Sequence, residues 1–97
     1  MIIYHDNTTS TGNSDEFPLK TMDESRKMTL VLFGDVQSDT VATLHFKAVN
    51  GDDTSWITTA IVCNNATRYV TFDLPASLTR VNLAGTLGTG VTVLVKP

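Results

Sequence analysis

The sequence predicts an all-β domain, a small antiparallel β-sandwich or jelly roll of six to eight strands with a polar N-terminal arm. Three observations carry that reading. Apolar residues recur with a period of two, and nowhere with the 3.6-residue period of a helix. Turn residues punctuate the chain at intervals of roughly ten residues, the spacing of short strands in sandwiches and jelly rolls. The stretch from Thr40 to Val62 sets two β-branched, aromatic-bearing segments on either side of Asn50-Gly51, the strongest short-range hairpin signal there is.

Residues 1–27 read as an N-terminal arm or edge segment, and residues 28–97 as the sandwich domain. The short apolar run Ile2-Ile3-Tyr4 is followed by a Gly/Ser/Thr/Asn-rich stretch without periodicity, which reads as loop. Phe17-Pro18-Leu19 reads as a short edge strand, because proline is tolerated at edges and strand starts. The segment has two readings. One is a frayed terminus with one strand clipped on. The other is an arm that docks on another subunit through Ile2, Ile3, Tyr4 and Phe17, the partner surface offsetting the entropy of ordering it. On the second reading, removing residues 1–16 leaves the sandwich folded and weakens assembly.

From Met28 onward strand follows turn. MTLVLFG (28–34) is apolar on both parities, Leu30 and Leu32 opposite Val31 and Phe33, as in a strand buried on both faces. Residues 34–39 form a loop into the central hairpin. In its first segment Ala42, Leu44, Phe46 and Ala48 share one face and Thr43, His45 and Lys47 the other. In its second, Ile57, Thr59 and Ile61 alternate with Trp56, Thr58, Ala60 and Val62. Asn64-Asn65 marks the next turn. Val70, Phe72 and Leu74 point inward in the following strand, then Val81 and Leu83, then Val91, Val93 and Val95. Only Lys47 and Lys96 read as guards of exposed sheet edges, a hint of oligomerisation.

Composition narrows the function classes. Ninety-seven residues support one compact core. A net charge of −3, with seven Lys and Arg residues scattered along the chain, gives no electrostatic footprint for nucleic acid. The first residues lack the basic and long apolar regions of a signal peptide, and no apolar run reaches the ~20 residues that span a bilayer. The expected place of synthesis is therefore a cytoplasm, with no membrane partner. The single cysteine, Cys63, forms no internal disulfide.

The chemistry-bearing residues do not assemble into a motif. His5 and His45 are forty positions apart, with no cysteine or histidine at ligand spacing, so no zinc site is expected. Asp35, Asp39, Asp52 and Asp53 occupy two loops that lack the alternating ligand spacing and closing glutamate of an EF-hand, and read as turn acids. Cys63 has no histidine near it in sequence and reads as a core-edge thiol. Trp56 reads as a core plug, with stacking on a sugar ring as the functional alternative. The expectation is a non-enzymatic protein with no catalytic residues, metal or cofactor.

From Leu44 to Val95 the chain carries a sequence of features: an apolar strand, the Asn50-Gly51-Asp52 turn, the pair Trp56-Ile57, the run Arg80-Val81-Asn82-Leu83-Ala84-Gly85, and a valine-alternating last strand. This pattern resembles small virion proteins of tailed bacteriophages, in particular the cement or decoration proteins that coat capsids. The resemblance implies a homotrimer on the capsid surface, bound to the major capsid protein and stabilising the shell by bridging its subunits. The alternatives are a carbohydrate- or receptor-binding β-module, with Tyr4, Tyr69 and Trp56 as its aromatics, and a head-tail or tail structural subunit.

Overall fold

In the computed structural model, which describes residues 1–19, 27–47, 55–73 and 77–97, the chain folds back on itself where the sequence places its central hairpin. Strand β5 (Val41–Lys47) pairs antiparallel with β6 (Trp56–Asn64), from Val41 opposite Asn64 to Lys47 opposite Trp56. The Asn50-Gly51 turn, Ala48 and Leu74 lie outside the described residues. The remaining strands are β1 (Ile2–Thr8), β2 (Gly12–Asn13), β3 (Phe17–Leu19), β4 (Met28–Gly34), β7 (Tyr69–Phe72), β8 (Ser77–Ala84) and β9 (Val91–Lys96).

Outward from the hairpin the strands pair in mirror order. β4 pairs with β7, β2 and β3 pair with β8, and β1 pairs with β9, all antiparallel. The chain is thus a long antiparallel ribbon, and rolling it up adds the pairs β4–β9 and β5–β8. Two sheets result: sheet A, in the order β1-β9-β4-β7, and sheet B, in the order β2-β8-β5-β6 with β3 also on β8. With β2 and β3 counted as one interrupted edge strand, the described residues form a β-sandwich of eight strands in jelly-roll order. Between the sheets lie Leu30, Leu32, Ala42, Leu44, Cys63, Val81, Leu83, Val91, Val93 and Val95, each at most 1% exposed.

The structure bears on three expectations. First, β4 is buried on one face only: Leu30 and Leu32 are enclosed, whereas Phe33 is 46% exposed. Two layers bury one face of each sheet, and among the described residues nothing covers the outer face of sheet A. Second, of the two forms expected for the N-terminal segment, arm or edge, its described residues have the edge form, with Phe17–Leu19 as the expected short edge strand. β1 completes one edge of sheet A, and β2 and β3 complete one edge of sheet B. Tyr4 and Phe17 meet edge to face, ring centroids 5.5 Å apart, and the Tyr4 hydroxyl hydrogen-bonds Thr79 Oγ1. The segment therefore straps the two sheets together. Third, Lys47 and Lys96 lie on β5 and β9, which are inner strands and guard no edge. The edges are blunted otherwise: β1 carries two register shifts and β6 one, while β7 has only four residues.

Candidate interaction surface

Register decides what sheet A shows on its outer side. Ile3 stands opposite Leu94, Leu94 opposite Val31, and Val31 opposite Tyr69. The result is an apolar row that crosses all four strands. Next to it Phe33 stands opposite Thr92, and on the other side Thr29 stands opposite both Lys96 and Thr71. Ile3 is 42% exposed and Tyr69 67%, so with Phe33 this face holds three of the molecule's large exposed apolar side chains. Leu94 and Thr92, on the inner strand β9, are nearly covered by their neighbours in the sheet. Contiguous apolar surface of this kind marks an interaction face more often than scattered single residues do. Thr29, Val31, Tyr69, Thr71 and Lys96 line an open recess of about 390 Å³ on it.

Of the four residues singled out for docking, the structure leaves Ile3 exposed and places Tyr4 in the core. Ile2 and Phe17 are partly buried against the core. Tyr69 was named only as an aromatic of the alternative binding module, and Val31, Phe33 and Leu94 were not singled out. The signal was present in part, because β4 is apolar on both parities and β9 adds Leu94 to its outer parity. In a two-layered domain such strands must turn one apolar face outward unless something else covers it.

The outer face of sheet B has another character. Arg80 Nε donates to His45 Nδ1 at 3.2 Å, and the Arg80 guanidinium lies 4.2 Å from the centre of the Trp56 ring. Lys47 Nζ is 5.4 Å from the same ring, a pair of cation–π contacts on one indole. Burial, and after it the charge of Arg80, holds the His45 pKa below its usual value. Trp56 is half-buried and is not one of the core residues. Its Nε1 is buried without a partner among the described residues.

The turn acids also have structural partners. The β4–β5 and β8–β9 connections cross between the sheets side by side at one end of the sandwich. Asp35 accepts hydrogen bonds from the Thr89 amide at 2.8 Å and from Gln37 Nε2 at 2.7 Å. Asp39 accepts from the Thr86 amide at 3.1 Å and hydroxyl at 3.0 Å. The Thr86 amide first, and its hydroxyl second, lower the Asp39 pKa. The crossing is tight enough to demand glycine at position 85, where φ is +89° and a Cβ would lie 2.0 Å from the Asp39 carbonyl oxygen. Asp52 and Asp53 lie outside the described residues, among which no three His, Cys, Asp or Glu side chains gather at metal-binding distance.

Cys63 is enclosed, its thiol directed at the Leu30 carbonyl oxygen at 3.4 Å, and burial pushes its pKa up to about 11. A thiol so held is not a nucleophile near neutral pH. His5 Nε2 is 3.0 Å from the Val81 carbonyl oxygen, a bond that joins β1 to the opposite sheet. No protein-family model, curated protein or solved structure matches the chain, so no relative lends it a function.

Proposed function

We propose that this is a non-enzymatic structural protein of a tailed-phage virion, a cement or decoration protein that binds the outside of the head. The observation that carries the reading is the apolar row Ile3–Leu94–Val31–Tyr69, with Phe33 beside it, on the outer face of sheet A. It is an apolar surface open to contact, whereas the loop acids Asp35 and Asp39 are occupied in holding the domain's own loops together. Two further points support it by analogy. The jelly roll recurs in viral capsid and lectin domains, and the pattern from Leu44 to Val95 resembles decoration proteins. Fold analogy fixes no function by itself, so the exposed face bears the weight.

The mechanism is interfacial. A four-stranded face, with strands about 4.8 Å apart and roughly five residues of about 3.3 Å along each, spans on the order of 300 Å². That is well short of the ~800 Å² per partner of a standard stable interface, so a single contact is weak. A homotrimer bound to the major capsid protein would present three such faces at high effective concentration and bridge neighbouring subunits. The test is co-sedimentation with undecorated heads of the phage that encodes the chain, comparing the native protein with the double variant Val31→Asp, Phe33→Asp. The native protein is expected to pellet with the heads and the folded variant to stay in solution. Equal pelleting of the two would overturn the reading.

A further inference from the structure

We infer that the recess on the outer face of sheet A receives an apolar side chain flanked by a carboxylate, presented by the surface of a partner protein. The inference rests on that face being the docking face and names what it docks. The lining of the recess includes Val31, Tyr69 and the methyl-bearing threonines Thr29 and Thr71, which suit an aliphatic or aromatic group. Lys96 also lines it, the one charged residue among the described lining residues, and it makes no ion pair among the described residues. An ammonium in the lining of an apolar recess favours an acid on the incoming surface, and burial of the neighbouring apolar group strengthens that pairing.

A second copy of this chain is a poor occupant. Two copies meeting face to face across the recess would bring two Lys96 ammonium groups into one apolar interface, with no carboxylate from either lining to separate them. An acidic partner surface does not meet that objection.

The experiment uses the intact protein and small probes, so it does not depend on the phage reading. Amide chemical shifts are followed by NMR during titration with 4-phenylbutyrate and, separately, with 4-phenylbutylamine, the same apolar body with the opposite charge. Affinity on the order of 1 mM is expected for a fragment of this size. Shifts should centre on Thr29, Val31, Tyr69, Thr71 and Lys96, with the carboxylate binding at least fivefold tighter than the amine. The variant Lys96→Glu, whose fold is checked by the unchanged spectrum of the core amides, should reverse that order. Equal binding of the two probes, shifts scattered over the molecule, or an order unchanged in Lys96→Glu would each overturn the inference. If the probes behave as expected and undecorated heads do not bind, the recess stands and the phage reading falls.

Discussion

His45 can accept the Arg80 Nε proton only while its imidazole is neutral. Burial, and then the Arg80 charge, lower its pKa in the folded protein from the usual value near 6.5. The sign follows from linkage. The folded state disfavours the proton that the unfolded chain takes up, so the stability tied to neutral His45 is complete above pH ~6.5 and is lost as pH falls through the lowered folded value. Protonation sets imidazolium against guanidinium 3.2 Å away, with Lys47 on the same indole, and the guanidinium loses its seat on Trp56. Trp56 is the single tryptophan of the chain, so its fluorescence reads the event directly. The emission is expected to titrate with a midpoint below 6.5 in the native protein and to be flat across that range in His45→Gln. A midpoint at or above 6.5, or an undiminished titration in the variant, would remove the coupling between the three residues.

At the scale of elements the N-terminal segment changes role. Its strand β1 fills the open edge of β9, and Tyr4 reaches across the sandwich to Phe17 and Thr79. Tyr4→Ala is expected to destabilise the domain by about 3 kcal/mol, in the range for truncating a buried aromatic, and to lower Tm by at least ~12 °C in a chain of this size. Deleting residues 1–16 should abolish the cooperative thermal transition altogether; a truncated protein that still melts as one unit would restore the docking arm. The sequence hid this for a physical reason. The register of β1 shifts between Ile3 and His5 and again between His5 and Thr8, and each bulge breaks the period of two by which a strand is recognised. β7, β8 and β9 keep strict alternation, and there the inward residues Phe72, Val81, Leu83 and Val93 were legible. The outer face of sheet A was half legible: Val31 and Phe33 read as apolar and buried, but alternation alone does not say whether a third layer covers them. Lys47 and Lys96 misled because an edge is a property of sheet order, and sheet order is not written in any one strand.

For the whole molecule, mirror pairing about one hairpin makes a prediction about folding. The β5–β6 pair closes the shortest loop of the ribbon, whereas Ile2 opposite Val95 joins the two ends of the chain. Between Val41–Asn64 and Ile2–Val95 the sequence separation grows about fourfold, which raises the closure cost by roughly 1.2 kcal/mol. The hairpin should therefore form first and the terminal pair last, in a fold whose non-local pairings place it among the slow, millisecond-to-second folders. The same geometry places the termini on adjacent strands, so a short glycine linker can join Pro97 to Met1 and new ends can be opened between Asn50 and Gly51. In that permutant the ribbon is intact, but near and far are exchanged: β1–β9 becomes the most local pair and β5–β6 the most distant. Because the gains and losses in separation nearly balance around the roll, the overall folding rate should stay within about tenfold. The nucleus should move nonetheless. Val62→Ala in β6 is expected to give a high φ-value in the native order and a low one in the permutant, and Ile2→Ala in β1 the reverse. If Val62 keeps its high value after permutation, local closure does not choose the nucleus, and the packing of β4, β5, β8 and β9 around the core sets it in both chains.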